Sequence, residues 1–186
     1  MKGMERLTTV RLAEALSQSG MVVNEKITDA LHQQDSTGVP FVDVLVDSGD
    51  ISEWEISRLV VQHFHLPFLM ASCVEINEKA KTALPTDFLF EHRILPLAVL
   101  GSVLSLSMPV IVPFKVLQDA EKLSGHNVFP FVGLRTENLK FLHELFPEQP
   151  RIDVTKGPQS GEQQASGGWQ NIFDVGDQQV LKDLGM

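Results

Sequence analysis

Cysteine and tyrosine are scarce in this chain of 186 residues, which contains one cysteine, Cys73, and no tyrosine. A single cysteine excludes an intramolecular disulfide, and a chain without disulfides suits a reducing compartment. No histidine or aspartate motif is organised around Cys73. We therefore expect it to be a small core or edge residue rather than a reactive thiol.

Positive charge and long apolar runs are also limited. The 15 lysines and arginines are outnumbered by 24 aspartates and glutamates, which gives a net charge of -9, whereas a general nucleic-acid surface needs clustered cations. No apolar run approaches the roughly 18 residues of a membrane-spanning helix, and the N-terminus lacks the apolar core of a signal peptide. The sequence predicts a soluble, cytoplasmic protein without DNA or RNA partners and without a transmembrane segment.

Motifs for catalysis and metal binding are missing. The sequence has no Gly-x-x-x-x-Gly-Lys-Ser/Thr loop, which ordinary NTPases use to hold phosphates. The six histidines are scattered, and no cysteine or carboxylate completes a metal set around His63 and His65. We predict that these two side chains cap or pack, and that the protein is not an enzyme and needs neither a metal nor a cofactor.

What is present is an apolar pattern of helical period. Hydrophobic residues make up 43% of the chain and charged residues 21%, as in ordinary globular proteins. Between residues 5 and 68 apolar side chains recur at helical spacing. The loop at residues 35–40 divides this region into two helical hairpins.

Helix boundaries within the hairpins follow from a few residues. Gly20 and Gly49 can each end a helix, and Asn24 can cap the helix that follows Gly20. Ser52 and Glu55 have the spacing of a capping box, in which each residue bonds the backbone of the other. The same cycle of helix, glycine and cap therefore occurs twice.

The region from residue 74 to residue 146 has a mixed pattern. Its order of strand, strand, helix, strand and helix is that of a small α/β sandwich. The expected elements are short helices over 77–84 and 85–92, the second starting at Pro85, a strand hairpin over 94–108 that turns at Gly101 and Ser102, a helix from Phe114 to Gly125, a strand over 126–133 and a helix over 137–146.

The last part of the chain has a different composition. Residues 147–170 are rich in Pro, Gly, Ser and Gln and offer too little apolar area to fold, so we predict a disordered linker. Apolar residues then return, either as a docking motif for a partner groove or as a terminal helix folded back on its own domain. The candidate partner-binding residues are Trp169, Ile172, Phe173, Leu181 and Leu184.

These patterns together predict an α+β protein. A helical subdomain over residues 1–70, made of two helical hairpins, precedes a small α/β subdomain over 71–146, and residues 147–186 form a linker and tail. Phe41 and Trp54 either fill space between the hairpins, which is the commoner fate of such residues, or form an exposed apolar patch that favours a protein interface.

The two hairpins repeat each other. Such hairpins can pack as a pseudo-symmetric pair, and the match extends to the flanks of each copy, which disfavours chance convergence. At an offset of 29 residues the identical pairs are Leu16/Leu45, Ser19/Ser48, Gly20/Gly49, Ile27/Ile56 and Gln33/Gln62.

The first copy, RLAEALSQSGMVVNEKITDALHQQ, resembles the first motif of the N-terminal domain (MshEN or GspE-N type) of type II secretion and type IV pilus assembly ATPases. That motif begins Arg-Leu-Gly, has a glycine nine residues after the arginine and ends in glutamine. The second copy, PFVDVLVDSGDISEWEISRLVVQH, is followed by FHLPF, which is similar to the Leu-Gly-Leu-Pro-Phe of the family. ALPTDFLFEHRILPLAVLGSVLSLSM extends the resemblance, which covers about residues 6–146.

The resemblance implies a non-catalytic bacterial docking or regulatory module. In that family the module contacts a protein of the membrane platform, which implies a cytoplasmic location, peripheral at the inner membrane through the partner. The ATPase domain of the family follows in the same chain, and nothing here matches it. The sequence therefore corresponds to the module standing alone or to a fragment of a longer chain. The alternative that the resemblance implies is a cyclic di-GMP receptor, which is the role of the MshEN subset.

The copies differ in how much of that ligand motif they keep. An arginine can meet a guanine or a phosphate, and a glutamine can donate and accept hydrogen bonds. The first copy has these two residues, with alanine for the glycine of the triplet, whereas the second has Pro-Phe-Val for the triplet and histidine for the final glutamine. A surface charge and a helix-end residue would explain the first copy equally well, and helix termination would explain both glycines. The ligand residues that the resemblance implies are Arg11, Leu12, Ala13, Leu16, Gly20, Leu31, Gln34, Phe41, Leu45, Gly49 and His63.

Overall fold

Four helices form the first part of the described chain, and three strands with four further helices form the rest, so the predicted α+β fold class is confirmed. The computed structural model describes residues 7–149. The predicted linker and docking tail, with its five candidate residues from Trp169 to Leu184, lies outside the described residues.

The elements are α1 Thr9–Ser19, α2 Asn24–Thr37, α3 Phe41–Asp47, α4 Glu53–Phe64, a 3-10 turn Ala71–Cys73, α5 Glu78–Lys81, α6 Thr86–His92, β1 Leu95–Leu100, β2 Val103–Pro109, α7 Phe114–Ser124, β3 Asn127–Gly133 and α8 Arg135–Leu145.

The two copies of the repeat end their first helices in the same way. Gly20 has a φ of 66° and Gly49 a φ of 76°, in the left-handed region that glycine enters without the steric penalty of other residues. Ser19 and Ser48 each donate a hydroxyl hydrogen bond to the carbonyl three residues earlier, at 2.8 and 3.1 Å. A Cβ at either glycine would meet nothing within 4 Å. Backbone conformation alone therefore accounts for both glycines.

The prediction that Asn24 caps α2 is wrong. The N-cap is Val23, which has no side-chain cap bond. Asn24 is the first helical residue, and its Oδ1 accepts a hydrogen bond from Ser17 Oγ at 2.6 Å. Because the side chain is used in this way, it ties the end of α1 to the start of α2 instead of capping α2.

The loop between the hairpins is shorter than the predicted range of 35–40. Helix α2 continues to Thr37, and the residue that ends it in the left-handed region is Gly38, with a φ of 76°. The Gly38 amide donates to the Gln34 carbonyl at 2.9 Å. The polar residues before Gly38 are therefore the last turn of a helix rather than a loop.

Helix α4 begins with the predicted capping box. Ser52 Oγ accepts from the Glu55 amide at 3.2 Å, and the Glu55 carboxylate accepts from the Ser52 amide at 3.0 Å. Hydrogen bonds from the Ser52 hydroxyl and amide stabilise the charged carboxylate, so the pKa of Glu55 is lowered. His65 ends α4 with a φ of 54°, which confirms a capping role, and the exposed His63 ring packs on Phe64 at 5.0 Å.

The three strands form one sheet in the order β1-β2-β3. Strands β1 and β2 make the predicted antiparallel hairpin, which turns at Gly101 with a φ of 60°. Helix α7 then crosses over so that β3 pairs parallel to β2. It starts after Pro113 and ends at Gly125, as the pattern predicted. Helix α8 starts at Arg135, two residues before its predicted start.

The outer edge of β3 has few groups left for pairing with another strand. Its outward amides are those of Val128 and Val132, since Pro130 lies between them and has no N–H. The Val128 amide donates to Glu121 Oε1 at 3.1 Å. The Val132 amide donates to the Pro67 carbonyl at 2.8 Å.

Cys73 is exposed, so the prediction of a core or edge position is wrong. It is the last residue of a short 3-10 turn whose first residue, Ala71, is fully buried. The small core side chain of this turn is therefore alanine, and the cysteine faces solvent.

Among residues 7–149, none of the helices has the length and apolar character that crossing a bilayer requires.

Candidate functional site

A cleft of about 720 Å³ separates part of the helical hairpins from the α/β part of the protein. Ligand sites commonly have volumes of about 300–1,000 Å³. The start of α1, the α2–α3 connection and α3 form one wall. The end of α6, the segment that follows β2 and the starts of α7 and α8 form the other.

Arg135 lies at the base of the cleft, at the centre of a buried ion network. Its side chain is 6% exposed. The Nη1 atom lies 3.0 Å from Asp43 Oδ1, and Nη2 lies 2.7 Å from Asp47 Oδ1. The Nε atom lies 3.1 Å from Glu53 Oε1. Carboxylates from α3 and α4 therefore hold the first residue of α8 against the helical hairpins.

Glu53 has a second task at this junction. Its Oε2 accepts from the Thr136 amide at 3.2 Å and from the Thr136 hydroxyl at 3.0 Å. A carboxylate at this position also suits the partial positive charge of a helix N-terminus. Glu53 thus caps α8 from outside, although 82 residues of chain separate it from Arg135.

Arg93 joins the network from the end of α6. Its Nη1 donates to Asp43 Oδ2, so both oxygens of the buried Asp43 carboxylate have an arginine partner. Both arginines that line the cleft are therefore engaged in ion pairs.

The charge of Arg135 is stabilised by these contacts. Burial alone would lower the pKa of the guanidinium, but the hydrogen bond that it donates to Asp47 and the charges of Asp43, Asp47 and Glu53 outweigh burial. The pKa of Arg135 is consequently raised above its ordinary value.

Two residues of the cleft have unusual backbone conformations. Val110, directly after β2, has a φ of 40°, and Arg93 has a φ of 52°. The left-handed region is a genuine outlier for a β-branched residue such as valine, and strained residues of this kind cost about 1–3 kcal/mol and cluster at functional sites. The Val110 amide donates to the Gly133 carbonyl at 3.2 Å, which helps to hold this conformation.

Helices α1 and α7 begin at the cleft. Thr8 caps α1 by accepting a hydrogen bond from the Arg11 amide at 3.3 Å. Helix α7 follows Pro113 and has no side-chain cap. The first amides of a helix lack partners within the helix, so these two helix starts bring hydrogen-bond donors to the cleft.

Two of the residues predicted to contact cyclic di-GMP, Gln34 and Phe41, line the cleft. Gln34 Oε1 accepts from the Phe41 amide at 3.1 Å, so this glutamine fixes the start of α3. In the rest of the set, Leu12, Ala13, Leu16 and Leu45 are buried in the core, Leu31 is half-buried, and Arg11, Gly20, Gly49 and His63 are exposed.

The residues that define the cleft chemically are ones that the sequence did not single out. Arg93 and Arg135 are isolated in sequence, and their acidic partners have the spacing of ordinary helix-surface charges. The Pro40 break before α3 and the Gly133-Leu134 junction before α8 are the only local signs that these elements meet. No short-range pattern predicts an ion network across such sequence distances.

An exposed aromatic pair lies on the surface near α4. Trp54 is 51% exposed and packs edge-to-face on Phe68, with ring centroids 5.2 Å apart. Phe41, by contrast, is 2% exposed and belongs to the core. Phe41 therefore fills space in the core, whereas Trp54 contributes to an exposed apolar surface. We call Trp54 and Phe68 the aromatic pair.

The protein resembles the MshEN domain family in sequence and two solved structures in fold. Residues 64–152 match the family model of the MshEN domain. That range starts at Phe64, the last residue of α4, directly after the second copy of the repeat. The chain is also 29% identical over 157 residues to the type IV pilus assembly ATPase PilB of Thermus thermophilus. The aligned region covers 83% of this chain and 17% of that relative. The chain thus spans less than a fifth of that relative.

Two solved structures have a similar fold. The structure of MshE with cdg has a TM-score of 0.60 at 19% identity, covering 73% of this chain and 98% of that one. The N-terminal domain of XpsE has a TM-score of 0.61 at 19% identity, covering 77% of this chain and 96% of that one. The resemblance that the sequence predicted is confirmed: this chain matches the MshEN domain model over residues 64–152, is similar to PilB in sequence and has the fold of the MshE and XpsE structures.

Proposed function

We propose that this protein is a non-catalytic docking and regulatory module of a secretion or pilus machine. The observation that carries the proposal is the extent of the likeness: the shared fold covers 98% of the MshE chain and 96% of the XpsE N-terminal domain. The module would act through protein–protein contacts and would reach the inner membrane through its partner.

The aromatic pair supports this function as a contact surface. Large aromatic side chains are enriched at interfaces and often dominate their binding energy. Trp54 lies in the first turn of α4, next to Glu53 of the ion network. A partner bound there would contact Trp54, whose backbone is positioned by the neighbouring Glu53 and its ion pair with Arg135.

A photo-reactive amino acid at Trp54 should cross-link to a protein of the membrane platform in cells of the source bacterium. The matched control is the same amino acid at Val23, which is 69% exposed and lies in the α1–α2 turn. Mass spectrometry of the adducts identifies the partner. Equal adducts from both positions, or none from Trp54, would contradict docking through this surface.

One observation favours a second candidate, a cyclic di-GMP receptor. MshE was solved with this ligand, and two residues of the predicted ligand set, Gln34 and Phe41, line the cleft. Against it, both cleft arginines are already paired with carboxylates, and Arg11 is an exposed residue that does not line the cleft. We therefore rank this function below docking.

Calorimetric titration with cyclic di-GMP separates the two functions. We expect no saturable heat, because a ligand with two phosphates would have to displace the acidic partners of Arg93 and Arg135. The titration is repeated with Arg11→Ala and with Arg58→Ala, an exposed arginine of the second copy. One-site binding that the first variant abolishes and the second preserves would establish a receptor.

A further inference from the structure

We propose that the cleft binds a short extended peptide of a partner protein, one that carries basic and apolar side chains. This inference rests on the proposed docking function and names the chemistry of the docked segment. A peptide is the expected ligand because the cleft combines an apolar wall, an excess of negative charge and backbone donors at two helix starts.

The side-chain charges of the cleft favour a cation. Asp43, Glu53 and Glu91 line it, opposed by Arg93 and Arg135, and a further carboxylate, that of Asp47, binds Arg135. Glu91 is exposed and is therefore accessible to a lysine or arginine from outside. Anions approaching the same wall would meet like charge, which opposes binding of the wrong partner.

The helix starts supply hydrogen-bond donors. The amides at the starts of α1 and α7 carry partial positive charge, which attracts anions most strongly, and they can also donate to the carbonyl oxygens of a peptide backbone. A peptide supplies carbonyls to these amides and cationic side chains to the carboxylates at once. A dianionic nucleotide satisfies the amides and opposes the carboxylates.

The remaining wall of the cleft suits apolar side chains. Pro109, Val110, Ile111 and Val112 form a continuous apolar segment after β2, and Phe114 follows it. Val110 and Val112 are buried, so the half-buried Pro109, Ile111 and Phe114 supply the apolar surface. An extended peptide that alternates apolar and basic residues would present one type to this wall and the other to Glu91.

Labelled hexapeptides test the inference by fluorescence anisotropy. Three peptides alternate leucine with arginine, glutamine or glutamate, and they are measured at about 0.15 M salt, where exposed charges more than about 8 Å apart are largely screened. The matched variants are Thr9→Trp, which fills the cleft from the first residue of α1, and Val10→Trp, which adds the same side chain at a 63% exposed position outside it. Urea unfolding of each variant confirms that it folds.

We expect affinity in the order arginine, glutamine, glutamate. Thr9→Trp should weaken the arginine peptide by about tenfold or more, as when a central contact region is lost, and Val10→Trp should not. Glu91→Gln should weaken it by about threefold to tenfold, the range of a single exposed ion pair, whereas Glu144→Gln on α8 should have no effect.

Four results would overturn the inference. These are no binding of any peptide, preference for glutamate, equal binding by Thr9→Trp and wild type, or displacement of the peptide by cyclic di-GMP. The first three leave the docking function intact if the Trp54 cross-link forms, and the fourth assigns the cleft to the nucleotide. A peptide bound in the cleft without any Trp54 adduct would instead move the docking site from the aromatic pair to the cleft.

Discussion

Arg135→Met should lower the free energy of unfolding by about 3–5 kcal/mol, the usual effect of removing one partner of a buried ion pair. The methionine keeps much of the side-chain volume, but it removes the cation paired with the buried Glu53 carboxylate and one of the two cations paired with Asp43, which keeps Arg93. Asp47 is partly exposed, so water can replace its partner. Urea unfolding at neutral pH measures the loss.

Lys140→Met is the matched control for this variant. Lys140 is an exposed cation on the same helix, with its Nζ 5.9 Å from the Phe141 ring. Surface changes of this kind stay within about 0.5 kcal/mol. Equal losses from the two variants would mean that the network does not hold α8 against the helical hairpins.

Gly133→Ala should destabilise the protein by about 3 kcal/mol, because it combines overpacking with damage to a buried hydrogen bond. A Cβ at this position would clash with Ser107 Oγ and lie 3.3 Å from Asn138 Oδ1. Those two atoms are hydrogen-bonded to each other at 2.7 Å, and Asn138 Nδ2 also donates to the Arg93 carbonyl at 3.0 Å. The clash therefore reaches the polar contacts beneath the cleft.

A second substitution tests the cause of that loss. In a Ser107→Ala background the clashing oxygen is gone, and the nearest Ser107 atom to the new methyl group is its Cβ at 3.4 Å. Gly133→Ala should then cost about 1–2 kcal/mol less than in the wild type, as expected for residues in contact. Strictly additive losses in the double variant would show that the strain comes from elsewhere.

Local boundaries of the fold were largely predictable because single residues decide them. Glycine at a left-handed position ends a helix whatever surrounds it, as at Gly20 and Gly125, and proline starts one, as at Pro85. The predictions for Asn24 and Cys73 failed for the opposite reason. Each depended on what another part of the chain offered: Ser17 took the asparagine side chain, and Ala71 took the core position.

The cleft was not predictable, because its chemistry is assembled from distant parts of the chain. The carboxylates on α3 and α4 have the spacing of ordinary surface charges, and Arg135 looks like a solvated residue near a helix start. The predicted ligand set contains residues whose sequence pattern has two explanations. Leucines spaced four apart, such as Leu12 and Leu16, are typical of a helix face in the core and equally of a surface that packs on a nucleotide base. Both leucines are fully buried.

The closed edge of β3 has a consequence for how copies of this domain can be crowded together. An open strand edge recruits other strands by backbone pairing, which leads to aggregation when local concentration is high. Here Glu121, Pro130 and Pro67 leave no outward amide on β3 for a newcomer to bond. Copies of this domain at high local concentration therefore have no amide on this edge of β3 through which to pair, and a protein that binds there must be recognised by its side chains.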